Sequence, residues 1–251
     1  MNENNKKIAL VTGVSCDRDM GTAFCRQLAS QGFHILFTQW QAEAAWKQTF
    51  QSEITEQGVR CEGIEIDLSS DDAALRLLDW GQKTIGLPTV LVNNAAYSTS
   101  GSYSTLDGKI LDAHYAVNMR TTFMLCVEFA RRLENSEIAT GRIINITSGQ
   151  ELGPMPGELA YVATKGAISA FTKSLSAEVA HLGITVNAIN PGPTDTTWMD
   201  EEIRNYLRPK FGMGRIGEPE DAARLVGFLA SEDARWITGQ VIHSEGGFLR
   251  S

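Results

Sequence analysis

The chain has 251 residues, 43% of them apolar, enough for one large α/β domain with a well-filled core. Its 30 acidic and 22 basic side chains give a net charge of −8 and a pI near 5.1, which argues against nucleic acid or an anionic membrane as the main partner. No apolar run approaches the ~18 residues needed to span a bilayer and the opening MNENNKK lacks a signal-peptide core, so a cytoplasmic location is expected.

Residues 8–12 (IALVT) form a short continuous apolar run, as expected of a strand buried on both faces. Gly13 follows, and a helix is predicted from about residue 21 to 31, ending at Gly32. Strand, glycine turn and helix make the first half of a nucleotide-binding unit, in which backbone N–H groups at the helix start can hold a pyrophosphate. Residues 34–38 (HILFT) give a second strand, which runs into Gln39 and Trp40 and not into an acidic residue. A helix over 43–57, a strand over 60–66 and a turn of Asp67, Leu68, Ser69 and Ser70 follow, the Asp/Ser cluster being suited to capping the next helix. Residues 90–93 read as a buried strand leading into Asn94, Ala95 and Ala96. A long helix is predicted from 107 to about 135, with Asn118 inside it, although asparagine is intrinsically unfavourable there. Cys16, Cys25, Cys61 and Cys126 stand far apart without a Cys-x-x-Cys pair, so reduced thiols are expected and neither a metal site nor a disulfide framework is indicated.

The run RIINITS at 142–148 is apolar and β-branched and ends in two hydroxyl residues. It puts Ser148 at the carboxyl end of a strand, where ligands bind in an open α/β sheet. Tyr161 and Lys165 come next, at the start of a helix, and their spacing projects both from one helical face. A nearby ammonium favours phenolate and is expected to lower the tyrosine pKa from its usual value near 10. A three-unit shift corresponds to about 4 kcal/mol, and the result would be a proton relay poised near pH 7. Residues 185–190 (TVNAIN) are another strand, closed by Pro191, Gly192 and Pro193. The following segment carries Trp198, Met199, Tyr206, Phe211 and Met213; it reads either as a substrate lid over about 193–215 or as a fixed helix packed on the core. A helix over 218–230 with an acidic first turn and a last strand over 241–243 complete the chain. Strands alternating with helices throughout imply a parallel, doubly wound sheet in one α/β domain.

With these motifs in this order, the chain resembles the short-chain dehydrogenase/reductase family from about Lys7 to its end. The resemblance rests on Thr12 with Gly13, NNAA at 93–96, Asn118, Ser148, Tyr161 with Lys165, and NPGPTDT at 190–196. It implies a single-domain Rossmann fold over residues 1–251, an NAD(P)-dependent oxidoreductase acting on CH–OH groups of a small-molecule substrate, and a homotetramer. It further implies that hydride passes between nicotinamide C4 and a carbonyl carbon. Tyr161 would protonate the developing alkoxide and Ser148 would hydrogen-bond the same oxygen. Lys165 would lower the tyrosine pKa and hold the nicotinamide ribose, while Asn118 would hold a water linked to Lys165. For the cofactor it implies Gly13, Ser15 and Gly21 around the pyrophosphate and Asp67 with Leu68 at the adenine. Asn94, Ala95 and Ala96 would approach the cofactor, and Pro191, Gly192 and Thr194 would cover the nicotinamide beside Tyr161 and Lys165. Substrate is expected at Ser148, Gln150, Tyr161 and Trp198, with Glu151 and Met155 near by.

Two departures from the family pattern bear on function. The loop TGVSCDRDMGTA is two residues longer than usual and lacks the middle glycine. It resembles the loop of enoyl-thioester reductases in the same superfamily, but those enzymes put six residues between tyrosine and lysine, where this chain has three. No acidic residue follows the second strand to bond a ribose 2′-OH, and Arg18 in the loop is available for a 2′-phosphate, so NADP(H) is expected over NAD(H). A general carbonyl reductase is the preferred reading. A 3-oxoacyl-[acyl-carrier-protein] reductase is an alternative, supported by Ile237, Thr238, Gly239, Gln240, Gly246 and Gly247, with Lys173, Arg131 and Arg132 as the cations available to an acidic carrier. A non-catalytic NADP(H)-sensing regulator is the alternative of another class, and it has no reason to keep Asn118, Ser148, Tyr161 and Lys165 together.

Overall fold

The computed structural model describes residues 7–250. Four strands in the first half, β1 (Ile8–Val11), β2 (His34–Gln39), β3 (Cys61–Glu65) and β4 (Val90–Asn93), join β5 (Gly141–Ile146), β6 (Ile184–Asn190) and β7 (Val241–His243). They form one sheet in the order β3-β2-β1-β4-β5-β6-β7, and every pairing in it is parallel. Strand order reverses between β1 and β4, so the crevice where dinucleotides bind in such sheets opens at the carboxyl ends of those strands.

Both faces of the sheet are covered, which explains the unbroken apolar runs of its strands. Helices α1 (Met20–Ser30), α2 (Ala44–Thr55) and α8 (Pro219–Ala230) cover one face. There Phe24, Phe50 and Val226 meet Ala9, Val11, Ile35 and Phe37 of the sheet. Helices α3 (Ala73–Thr84), α5 (Thr122–Glu134) and α6 (Leu159–Val179) cover the other, where Leu77, Leu78, Phe129 and Val179 meet Ile8, Leu10 and Leu36. Alternate residues of β1 therefore enter opposite cores, as the two-residue period of a strand requires. Helix ends follow local chemistry: Gly32 takes φ 81° just past α1, and Glu218 with Asp221 forms a capping box at the start of α8.

The helix expected over 107–135 has three parts: α4 (Gly108–His114), a π-helical stretch (Tyr115–Thr121) and α5. Such a widened stretch is rare and concentrates at functional sites, and here it contains Asn118. The segment after β6 carries the short helix α7 (Glu201–Leu207) and has a small core of its own. Met199, Leu207, Phe211 and Ile216 pack there with Ile203 and Phe248. Burial of the Cys25, Cys61 and Cys126 thiols pushes their pKa values up, to about 12 for the last two. Among the described residues, no helix is long and apolar enough to cross a membrane, and no group of His, Cys, Asp and Glu is arranged to hold a metal ion.

Candidate active site

A cleft of about 1640 Å³ opens over the carboxyl ends of β1, β4, β5 and β6. Sites for one small ligand typically enclose roughly 300–1,000 Å³, so there is room for a dinucleotide and a second molecule. The dinucleotide half is built by two motifs holding each other. Asn94 Nδ2 donates to the carbonyls of Thr12 (2.9 Å) and Gly13 (2.8 Å), while Thr12 Oγ1 accepts from the backbone N–H groups of Asn94 and Ala95, both at 3.0 Å. Gly13 has φ 73°, and a Cβ there would come within 2.7 Å of Ala95 Cα. This cradle fits close backbone approach to a ligand. A Gly13→Ala substitution is therefore expected to abolish measurable dinucleotide binding in calorimetry and to cost roughly 1–3 kcal/mol of stability through the forced φ; unchanged binding would show that the turn does not shape the site.

The longer loop after Gly13 is closed by a carboxylate. Asp19 Oδ2 accepts from the N–H groups of Ser15 (2.5 Å) and Cys16 (2.9 Å), and its Oδ1 accepts from Thr22 N (2.6 Å), capping α1. Asp19 thus substitutes for the missing glycine as the organiser of this turn. Its position as an N-cap residue ahead of an apolar helix was the available sequence signal. Arg18, Gly21 and Gln150 do not line the cleft. Arg18 instead donates to Asp195 Oδ1 at 2.9 Å, and Arg204 grips the same carboxylate through Nε and Nη2 at 2.9 and 3.0 Å. Arg204, with Arg18 behind it, holds Asp195 below the usual carboxylate range. Gln150 turns inward, donating to Thr147 Oγ1 and Ser169 Oγ at 3.2 Å each. Ser15, Asp67, Leu68, Ala96, Pro191, Gly192, Thr194 and Trp198 all line the cleft. The Asp67 carboxylate accepts from Ser69 N at 2.8 Å within the turn, while the N-cap of α3 is Asp72, which makes no side-chain cap bond, so the Asp/Ser cluster does not cap that helix as expected.

Ser148, Tyr161 and Lys165 converge on the other half of the cleft. β5 delivers Ser148, and the first turns of α6 deliver the other two. Lys165 is 2% exposed; its Nζ donates to Ile146 O at 2.7 Å and lies 5.4 Å from the Tyr161 ring centroid. No carboxylate pairs with it among the described residues, and burial pulls its pKa down to about 8. The expected lowering of the Tyr161 pKa is not what this geometry produces. Burial pushes the phenol up to about 12, with the Ser148 hydroxyl pulling it down and the Glu158 carboxylate adding to the rise. The reason is that partial burial disfavours the phenolate while the ammonium is turned to a carbonyl.

Among the described residues Asn118 makes three side-chain hydrogen bonds, none of them to Lys165. Its Oδ1 accepts from Tyr97 N (2.7 Å), and its Nδ2 donates to Tyr97 O (2.9 Å) and Thr164 Oγ1 (3.0 Å). Both amide protons thus fasten the residue-97 loop to α6. Sequence reasoning missed the carboxyl-terminal contribution. Arg250 forms a two-pronged pair with Glu245, and both line the cleft. The Arg250 side chain lies over Gly149 and Gly153, beside Ser148.

A family model described as enoyl-(acyl carrier protein) reductase matches residues 13–249. Among curated proteins, the chain is 63% identical over 250 residues to the uncharacterized oxidoreductase YjdA of Bacillus subtilis (strain 168), covering 100% of both chains. It is 33% identical to the 3-oxoacyl-[acyl-carrier-protein] reductase FabG of Aquifex aeolicus (strain VF5), covering 97% of each. Among solved structures, a double mutant of a Serratia marcescens short-chain dehydrogenase/reductase superposes with a TM-score of 0.87 at 33% identity, covering 96% of this chain and 97% of that one. Sheet order, cleft and relatives agree: the chain belongs to the short-chain dehydrogenase/reductase family of oxidoreductases.

Proposed function

We propose that the protein is an NAD(P)-dependent carbonyl reductase that interconverts a carbonyl and a secondary alcohol, with Tyr161 as the acid and base. The observation that carries this reading is that Ser148, Tyr161 and Lys165 line one wall of the cleft whose other end is the Gly13–Asn94 cradle. When bound, a reduced nicotinamide supplies the hydride. The chain's own part is proton handling and orientation. A phenol held up near 12 is protonated at neutral pH and is ready to donate to a carbonyl oxygen. The Ser148 hydroxyl, bonded to the phenol, would donate to the same oxygen on leaving Met155 Sδ, and donors aimed where negative charge develops are worth most in a water-poor site. As the proton departs, the Lys165 ammonium, 5.4 Å from the ring, balances the charge left on the tyrosine by turning toward it from Ile146 O. Asn118 is a positioning residue here, holding the loop that faces Tyr161. The test is consumption of reduced nicotinamide with neutral ketones, compared between the unaltered protein and Tyr161→Phe.

NADP(H) is the favoured cofactor, because Gln39 and Trp40 present no carboxylate to repel a 2′-phosphate at the end of β2. Arg18 holds Asp195 through Nη2 alone, which leaves Nε and Nη1 for that phosphate. Arg18→Ala is accordingly expected to weaken NADPH binding several-fold more than NADH binding in titration calorimetry. Equal loss for both would assign Arg18 to Asp195 alone.

The FabG-type relative favours a second reading, reduction of a 3-oxoacyl group on a carrier protein. The cations available to an acidic carrier are already engaged: Arg132 with Asp79 and Glu128, Arg131 with Glu128, and Lys173 with Glu151. This is why the general carbonyl reductase is preferred. The homotetramer usual in the family is proposed as its assembly.

A further inference from the structure

We propose that Glu158 is a specificity-determining residue, whose carboxylate at the substrate end of the cleft selects neutral carbonyl compounds bearing a hydroxyl group over carboxylates. The inference rests on the carbonyl-reductase reading and adds the substrate class to it.

Glu158 stands at the N-cap of α6, three residues before Tyr161, and lines the cleft. Two separate ties to the opposite loop hold it there. Ser100 Oγ donates to Glu158 Oε1 at 2.9 Å, and Gly101 pairs with Glu158 in a parallel bridge while its N–H donates to Gly157 O at 2.7 Å. Among the described residues no cation lies within ion-pair distance of this carboxylate, and its Oε2 has no hydrogen-bond partner, so an acceptor remains for a substrate hydroxyl.

Further charged groups line this end of the cleft, and each is turned to a partner of its own; the Lys165 ammonium donates to Ile146 O. Glu245 and Arg250 neutralise each other. Lys210 belongs to the segment after β6, where its Nζ sits 4.2 Å above the Tyr206 ring and donates to that hydroxyl at 2.8 Å. The field of Glu158 already acts on the Tyr161 phenol. A small substrate whose carbonyl oxygen meets Tyr161 therefore carries any negative charge of its own into the same field. Like charges at short range in a partly dry cleft repel by more than the roughly 1.4 kcal/mol that equals a factor of ten.

The test compares kcat/KM for 4-hydroxy-2-butanone and acetoacetate, which share one four-carbon skeleton and differ at its end, a neutral hydroxymethyl group against a carboxylate. The unaltered protein is expected to favour the neutral ketone by at least about tenfold. Glu158→Gln, which keeps an acceptor for Ser100, is expected to shrink that ratio at least about fivefold. A merely structural role, or an effect through Tyr161 protonation, moves both substrates together and leaves the ratio unchanged; that result overturns the proposal. So does a preference for acetoacetate that disappears in Lys210→Met. If neither compound is turned over, the carbonyl-reductase reading fails for this substrate range. The same ratio is then read from dissociation constants on Tyr161→Phe protein loaded with reduced dinucleotide, using the emission of the bound nicotinamide, and absent or charge-indifferent binding refutes the role of Glu158.

Discussion

Tyr161→Phe is expected to lower turnover at least roughly a hundredfold while leaving dinucleotide affinity nearly intact. The phenol is protonated at neutral pH and bonded toward Ser148, so the substitution removes the proton donor and changes little in shape. Among the described residues the hydroxyl makes no other hydrogen bond, and the variant should melt close to the unaltered protein. Steady-state kinetics with a saturating ketone, alongside a cofactor titration, separates the two effects. Turnover within a few-fold of the unaltered protein would mean that the proton comes from elsewhere.

Lys165→Met should separate stability from activity even more sharply. Removing the ammonium is expected to cost at least about a hundredfold in turnover, because nothing else in the cleft offsets the charge left on Tyr161. Yet the substitution also removes a buried cation without a carboxylate partner. The folded pKa of about 8 lies below the ordinary lysine value of 10.5. Below pH 8 the lysine is charged in both states, and the full burial cost falls on the fold. As pH rises from 8 toward 10.5 the folded chain has released a proton that the unfolded chain still holds, so stability from this group increases, by roughly 3 kcal/mol in all. Tyr161 and the buried cysteines titrate with the opposite sign at the upper end of this range, but they do so in both proteins. The excess stability of Lys165→Met over the unaltered protein should thus be largest near pH 7 and shrink toward pH 10 in urea unfolding. A difference that is flat with pH would show that the lysine carries no such cost.

What is legible in the sequence is local. The two-residue alternation that sends Leu10 to one core and Val11 to the other is present in the β1 run itself, and Gly32 marks the end of α1 by its own chemistry. The Tyr161–Lys165 spacing is likewise a property of one helix. The features that escape a reading of the sequence depend on residues far apart in the chain. Arg18 meets Asp195 across 177 positions, and Ser100 meets Glu158 across 58. The direction of the Tyr161 pKa shift escapes for the same reason: spacing puts the two side chains on one face, whereas desolvation and the Ile146 carbonyl that draws the ammonium come from the surrounding fold. The π-helical stretch at Asn118 falls in the same class, because a continuous helical pattern does not announce one extra residue in a turn.

Transfer of deuterium from NADPH carrying two deuteriums at C4 to 4-hydroxy-2-butanone, followed by mass spectrometry of the diol, is the most direct trial of the proposed chemistry. One deuterium at the carbinol carbon, formed by the unaltered protein and lost with Tyr161→Phe, is the result predicted. Cofactor oxidation without deuterium in the product, or transfer at an undiminished rate in Tyr161→Phe, would contradict it.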